Sequence, residues 1–339
     1  MQDDKKHTEK LDQWISQNIA GAAGEKIVFE VATRAAPSPP AANTPPSRQG
    51  STPYHKKAAA LKRLPGNPNE LPRTSPRRDV GPATHGTLRI IPLGGLDEVG
   101  KNMMIFEYER DIVIVDMGFQ FPEEDMLGID YVIPDVSYLM DKLDRIRGIL
   151  ITHGHLDHIG AIPYLLPKLG FPPIYSAKLT IGLVKKRLEE FGLERKAQLH
   201  EIDPAKSMRL GNFTVDWFRV NHSIPDGLGV ILRTPAGTMV HTGDFKFDYT
   251  PVFQQPADYA KIAQLGSQNV IALFSDSTNA LKPGYTMSEK KIGETLDEII
   301  KGAKGRIIIA AFASLIGRIQ QIINSAAYYN RKVFLSGRS

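Results

Sequence analysis

A run of β-forming residues leads directly into a dense cluster of histidine and carboxylate side chains, and this limits what the chain can fold into more than any other feature. The run covers residues 149–151, and three of the nine histidines lie in the six residues 153–158, His-Gly-His-Leu-Asp-His. Packing does not explain this density, because neighbouring histidines repel one another when they are protonated. The cluster therefore predicts a divalent metal site, since imidazole and carboxylate are ligands that zinc and manganese prefer.

The spacing inside the cluster indicates two adjacent metal positions. In an extended turn His153 and His155 point the same way, whereas Asp157 and His158 lie beyond them and can face a neighbouring position. A helix predicted over 159–169 follows, so the cluster lies at a strand-to-helix junction, where functional sites of α/β sheets are common. The chain has no cysteine, which excludes disulfides and thiolate ligands.

Two later residues are candidates to complete the site. His222 and Asp244 each follow an apolar strand and begin a loop. Taken alone, they are more simply interpreted as an ordinary loop histidine and an ordinary turn aspartate. Asp116 ends another apolar strand and could orient a ligand histidine from behind. No role is assigned to the histidines that lack such neighbours: His7, His55, His85 and His200.

From residue 87 onward short β-rich segments alternate with helical patterns, which predicts a layered α/β domain. Strands are predicted at 88–93, 103–108, 112–115, 148–152, 173–176, 213–220, 229–233, 238–241 and 270–274, and helices at 177–191 and 288–301. A second α/β unit begins later, with strands at 306–311 and 332–335 and a helix at 315–329. The sequence ends before the helix that should cover the last strand, so we expect a chain cut within this unit.

Residues 1–86 are predicted to form a basic, proline-rich, disordered extension. They contain 13 Lys plus Arg against 8 Asp plus Glu, whereas the rest of the chain contains 29 of each. Such a composition buries too little apolar surface to offset chain entropy. The extension either contacts nucleic acid or is a solvated tail. Without a signal peptide or an apolar run of bilayer length, we expect a cytoplasmic protein that binds no membrane.

Several motifs resemble the metallo-β-lactamase fold and, within it, the ribonuclease J family of β-CASP nucleases. They are Thr152 to His158, His222 and Asp244, together with the segments Pro92 to Asn102, Asn221 to Asp226, Thr242 to Lys246 and Ser275 to Asn279. The resemblance extends from Leu88 to the end of the chain. It implies a metallo-β-lactamase αββα sandwich over 87–282, followed by the start of a β-CASP α/β domain over 283–339.

The resemblance also implies a role for each site residue. One ion would be held by His153, His155 and His222, the second by Asp157 and His158, and Asp244 would bridge the two. Asp157, near the bridging solvent in relatives, is assigned a catalytic role, as is Asp276, which matches the first β-CASP motif. Two later family histidines are absent from this sequence, and one of them completes the second metal position. The implied cofactors are two divalent ions, zinc first, with manganese or magnesium as alternatives.

The implied activity is hydrolysis of RNA phosphodiesters by a 5′-to-3′ exonuclease and endonuclease, in RNA decay and maturation, including rRNA processing. The implied partners are an RNA substrate, further copies in a dimer or tetramer, and other RNA-decay proteins. One alternative is a small-molecule hydrolase of the same fold, such as a thioesterase or lactamase, which the Ser275 to Asn279 motif argues against. Another is a non-catalytic fragment that binds RNA or a nuclease subunit, because the later histidines are missing.

Overall fold

Two β-sheets packed face to face lie at the centre of the structure, and helices pack on their outer faces. The computed structural model describes residues 27–29 and 86–336, which all belong to one unit. One apolar cluster lies between the first sheet and its helices, a second lies between the two sheets, and a third lies outside the second sheet. The predicted metallo-β-lactamase αββα sandwich is confirmed.

The first sheet has seven strands that neighbour each other in chain order. They are β1 Ile27–Phe29, β2 Leu88–Gly94, β3 Met103–Tyr108, β4 Asp111–Val115, β5 Ile146–Leu150, β6 Ile174–Ser176 and β7 Leu199–Glu201. Strands β2, β3 and β4 pair antiparallel, and β4 to β7 pair parallel. The carboxyl ends of β4 and β5 therefore meet at one edge of the sheet, where loops can bring functional side chains together.

The second sheet has five strands in the order β12-β11-β10-β9-β8. They are β8 Met208–Leu210, β9 Phe213–Arg219, β10 Leu228–Thr234, β11 Gly237–His241 and β12 Val270–Phe274. Alternation along β9 turns Phe213, Val215 and Trp217 inward, and all three are fully buried between the sheets. This shared core fixes the position of the second sheet relative to the first.

Six α-helices and two short 3₁₀ helices complete the described part of the chain. The α-helices are α1 Leu156–Ile159, α2 Ile162–Leu165, α3 Lys178–Glu189, α4 Tyr259–Leu265, α5 Glu289–Gly302 and α6 Ile316–Tyr328, and the 3₁₀ helices are Ser137–Leu139 and Leu143–Arg145. Helix α3 buries Ile181, Val184 and Leu188, which form one stripe against the first sheet. Among the described residues, no helix has the length and apolar character needed to span a bilayer.

Helices α5 and α6 pack against each other after the second sheet. Ser288 caps the start of α5, where its hydroxyl accepts the Lys290 N–H. The Ser325 and Tyr329 hydroxyls donate to the Asp297 carboxylate at 2.7 and 2.8 Å and so tie the two helices together. The predicted boundary between 87–282 and 283–339 remains a prediction.

The single helix predicted over 159–169 is wrong. The chain instead forms the short helices α1 and α2, and the first begins earlier, at Leu156. The Ala161 N–H donates to the Met117 carbonyl at 3.0 Å. This N–H therefore does not form the hydrogen bond to the residue four positions earlier that a continuous helix would require. A side chain at Gly160 would also meet the Phe119 ring, at 2.2 Å. A tertiary contact therefore overrides the local helical pattern.

Two predicted strands, 306–311 and 332–335, are also wrong. A strand needs a hydrogen-bonded neighbour, and in the range 86–336 no other segment pairs with either of them. Conversely, the short strands β7 and β8 were not predicted. Strand β1 lies within the extension predicted over 1–86, and its backbone pairs parallel with β2. Residues 1–26 and 30–85 of that extension lie outside the described residues.

The core between the sheets gives a stability prediction. Leu232 is 1% exposed in this core, whereas Leu127 is 89% exposed. Leu232→Ala is expected to lower the free energy of unfolding by about 2–5 kcal/mol, because it removes buried methyl groups and leaves a cavity. The matched control Leu127→Ala should stay within about 0.5 kcal/mol of the wild type. Urea denaturation, monitored by circular dichroism, gives the free energy of unfolding of each variant. An equal decrease in the two variants would contradict the assignment of Leu232 to this core.

Candidate metal centre

Loops from both sheets meet at one edge of the sandwich and bring the predicted ligands together. The run from His153 to His158 follows β5, His222 follows β9, and Asp244 follows β11. Two groups of ligand atoms form there, each with all its members within 4.8 Å of one another. The first group consists of His153, His155, His222 and Asp244, and the second consists of Asp157, His158 and Asp244. All six predicted ligands are therefore neighbours, and Asp244 belongs to both groups.

The first group places three imidazole nitrogens around one point. His155 Nδ1 lies 3.1 Å from His153 Nε2 and 3.2 Å from His222 Nε2. The Asp244 Oδ2 atom lies 3.9 Å from His153 Nε2 and 3.6 Å from His222 Nε2. A tetrahedral zinc ion with bonds of about 2.0–2.1 Å sets its ligand atoms about 3.3 Å apart. The observed separations therefore fit a single divalent ion among the four side chains.

The second group shares its carboxylate with the first. His158 Nε2 lies 3.4 Å from Asp244 Oδ1 and 3.5 Å from Asp157 Oδ2. The two oxygens of Asp244 thus face different groups, Oδ2 the first and Oδ1 the second. A carboxylate in this position can bridge two adjacent cations, and the donor atoms are of the kind that such ions bind.

Asp116 lies behind the ligands and fixes two of the loop residues. Its Oδ1 accepts the Thr152 N–H at 2.8 Å, and its Oδ2 accepts the His158 Nδ1–H at 2.8 Å. In the neutral ring that binds a metal, this bond keeps the proton of His158 on Nδ1, so that Nε2 is the nitrogen that can bind a cation in the second group. Asp116 has a φ of 61°, a conformation that aspartate tolerates better than most residues. The orienting role predicted for Asp116 agrees with this geometry.

Thr152 extends the same arrangement to the first group. Its hydroxyl lies 2.9 Å from Asp116 Oδ2 and 3.1 Å from His153 Nδ1. If the hydroxyl donates to the carboxylate, its oxygen can accept the His153 Nδ1–H, which leaves His153 Nε2 free to face the cluster. One buried carboxylate therefore sets the ring orientation in both groups.

The first-group histidines favour the neutral form that binds metal. Burial, followed by repulsion from the other histidines, holds the pKa of His153 well below its usual value. Burial and the neighbouring His222 lower the pKa of His155 to about 4. Burial also lowers the pKa of His222, and the nearby Asp244 opposes this shift. At neutral pH all three rings therefore carry lone pairs rather than positive charge.

In the second group the pKa of the histidine is raised, whereas in the first group the pKa values of the histidines are lowered. Burial alone would lower the pKa of His158, but attraction and hydrogen bonding by Asp116 outweigh it and raise the pKa well above the usual value. Burial opposes ionisation of Asp244, yet the hydrogen bond and charge of His158 lower its pKa to about 2. The pKa of Asp157 is lowered as well: burial opposes this, and the His158 contact outweighs it. Both carboxylates are ionised at neutral pH.

Two residues that contact the centre were given no role in the sequence analysis. Asn102 lies beside the second group, with its Nδ2 atom 3.3 Å from Asp157 Oδ2. His241 accepts the Gly243 N–H on its Nδ1 at 3.1 Å, and so shapes the turn that presents Asp244. Asn102 is the last residue of the segment Pro92 to Asn102, and His241 immediately precedes the segment Thr242 to Lys246. Neither residue belongs to a local cluster of ligand types, so its role had no direct signal in the sequence.

The remaining predicted positions belong to neither ligand group. The Asp276 carboxylate accepts the N–H and hydroxyl of Thr278 at 2.9 and 2.7 Å, and its catalytic role remains a prediction. His200 stacks on Tyr175 with ring centroids 5.0 Å apart, which agrees with its exclusion from the site. His7, His55 and His85 lie outside the described residues.

A cleft lies beside the first group, between His222 and the beginning of α6. His222 and Ser223 line one side, and Arg318 and Gln321 line the other. Arg318 donates to both oxygens of Glu289, at 3.0 and 3.1 Å, while its Nε has no hydrogen-bond partner among the described residues. Residues of the two C-terminal helices thus form a partly polar wall beside His222.

Comparison with known proteins agrees with this architecture. The metallo-beta-lactamase superfamily model matches residues 96–301, and the model of the ribonuclease J beta-CASP domain matches residues 304–339. A crystal structure of a protein of unknown function from Enterococcus faecalis V583 has a TM-score of 0.52 and 16% identity, and the match covers 69% of this chain and 62% of that one. At this identity the likeness supports the fold alone.

Curated relatives share much more sequence. Ribonuclease J of Thermus thermophilus is 49% identical over 265 residues, which is 76% of this chain and 46% of the relative. Ribonuclease J 1 of Streptococcus pyogenes serotype M3 is 49% identical over 74% of this chain and 44% of its own length. This chain therefore spans about half the length of the curated relatives that it matches. It belongs to the metallo-β-lactamase superfamily, and the relatives that it resembles there are ribonuclease J proteins.

Proposed function

We propose that this chain provides the metal centre of a metal-dependent ribonuclease that hydrolyses RNA phosphodiesters. The observation that carries the proposal is the pair of ligand groups that share the two oxygens of Asp244. The ribonuclease J relatives and the β-CASP match support RNA as the substrate. Both 5′-to-3′ exonucleolytic and endonucleolytic cleavage belong to the proposal, because they are what the resemblance implies.

The proposed cofactors are two divalent ions, with zinc as the first choice. The first group would hold one ion through three imidazoles and Asp244, a donor set and spacing that suit tetrahedral zinc. Asp157, His158 and Asp244 would hold the other. When bound, such ions act as Lewis acids that activate water and neutralise charge on a phosphodiester.

The protein side chains then have distinct tasks in hydrolysis. The water oxygen forms a bond to phosphorus while the bond from phosphorus to the 3′-oxygen breaks. The 3′-oxygen takes up a proton from solvent and leaves as a hydroxyl, and the other product keeps the 5′-phosphate. The ionised Asp157 carboxylate, 34% exposed, is placed to accept the proton that water releases. Asp116 keeps the ring of His158 oriented throughout. No protein nucleophile is required, so the enzyme forms no covalent intermediate.

The metal-binding part of the proposal gives a direct prediction. His222→Ala removes one of three imidazoles from the first group, and tightly bound Zn²⁺ per chain is expected to fall by about one. His200→Ala is the matched control, because His200 stacks on Tyr175 and belongs to neither group. Elemental analysis after dialysis against metal-free buffer gives the stoichiometry. A wild-type chain that retains no zinc, or equal zinc in both variants, would contradict the assignment.

The catalytic part is tested by Asp157→Asn, which keeps the shape of the side chain but removes the proton acceptor together with one anionic ligand of the second group. Its kcat on 5′-monophosphorylated RNA is expected to fall by about 10²–10⁴-fold, whereas Asp203→Asn, outside both groups, should match the wild type. The wild type should leave thioester and lactam substrates intact. Turnover of those substrates without RNA cleavage favours a small-molecule hydrolase. Bound metal without any turnover favours a non-catalytic fragment.

A further inference from the structure

Asn102 connects the glycine-rich loop after β2 to the second ligand group. Its backbone N–H donates to the Asp157 carbonyl at 3.0 Å, and its own carbonyl accepts the Gly118 N–H at 2.9 Å. Its side-chain amide nitrogen lies 3.3 Å from Asp157 Oδ2 and 3.2 Å from His158 Nε2. We infer that Asn102 is a positioning residue that holds the Asp157 carboxylate in the second metal position, an inference that rests on the proposed two-metal function.

The orientation of the Asn102 amide follows from its partners. The Asp157 main-chain carbonyl lies 3.2 Å from Asn102 Nδ2, and a carbonyl oxygen only accepts hydrogen bonds. Turning the amide around would place two oxygens against each other at that point. Asn102 therefore presents its NH₂ group to Asp157 and acts as a donor, not as an oxygen ligand for a cation.

Two glycines make room for this contact. A Cβ atom on Gly95 would lie 2.3 Å from Asn102 Oδ1, and Gly95 also has a φ of +84°. A Cβ atom on Gly118 would lie 1.5 Å from the Asp157 carbonyl oxygen. A side chain at Gly95 would displace the Asn102 amide, and a side chain at Gly118 would displace the Asp157 backbone. The observed placement of both partners therefore requires glycine at these two positions.

The positioning matters because, apart from Asn102, the described side chains give the Asp157 carboxylate contact with His158 alone among the ligands. Its partner among the ligands is His158, at 3.5 Å, and the carboxylate is 34% exposed. A partly exposed carboxylate samples several rotamers unless a donor holds it. Hydrogen bonds of this kind to metal ligands typically change metal affinity by about 10–100-fold. The first group does not contact Asn102, so the effect should be confined to the second position.

Calorimetric titration of the metal-free chain with Zn²⁺ alone tests the inference. Asn102→Leu, which keeps most of the volume but removes the donor, is expected to weaken the second Zn²⁺ equivalent about 10–100-fold and to leave the first within about threefold. Asn212→Ala is the matched control, because the Asn212 amide also donates to a carboxylate, Asp111 Oδ2 at 2.9 Å, but touches no ligand. This control should bind both equivalents like the wild type.

Gly95→Ala gives a second, independent variant, since its added methyl displaces the Asn102 amide without removing it. Circular dichroism establishes which variants are folded, and the same selective loss in a folded Gly95→Ala chain supports the inference even if Asn102→Leu unfolds. Unchanged second-site affinity in a folded Asn102→Leu or Gly95→Ala chain overturns the role of Asn102 alone. A wild-type chain that takes up a single ion overturns the two-metal proposal, and this inference with it.

Discussion

The buried carboxylate of Asp116 is the group on which the metal centre depends. A buried charge costs several kcal/mol unless donors satisfy it, and Asp116 is 1% exposed. Its donors, the Thr152 N–H and the His158 ring, both come from the segment after β5. The bonds that satisfy the charge therefore also fix the segment that carries four of the six candidate ligands. Stability of the loop and orientation of the ligands have one physical cause.

The shared carboxylate makes the centre depend on the whole sandwich. Asp244 comes from the second sheet, whereas the ligands from His153 to His158 come from the first. Its oxygens lie 3.4 Å from His158 Nε2 and 3.6 Å from His222 Nε2, so a shift of one ångström between the sheets would separate the two groups. The close packing of Phe213, Val215 and Trp217 between the sheets prevents such a shift.

Local sequence predicted the parts of the structure that local physics determines. The ligand types at His153, His155 and His158 lie close together in the chain, and alternating apolar residues located most of the longer strands. The break between α1 and α2 was missed because it depends on a bond from Ala161 to a residue outside the helix. The contact of Asn102 with Asp157 joins residues 55 positions apart, and no local periodicity encodes it. The strand predicted at 306–311 failed because propensity supplies no neighbouring strand.

The loop that carries Asp244 is also anchored to the two C-terminal helices. Lys246, two residues further on, donates to Glu289 at 2.8 Å and lies 3.4 Å from Asp248, and Arg318 of α6 also donates to Glu289. The network contains two cationic side chains and two anionic ones, so its formal net charge is zero. Its effect is geometric, because the wall of the cleft and the shared ligand are held by the same ion pairs. The position of α5 against the sandwich is therefore linked, through Lys246, to the loop that carries the carboxylate shared by the two ligand groups.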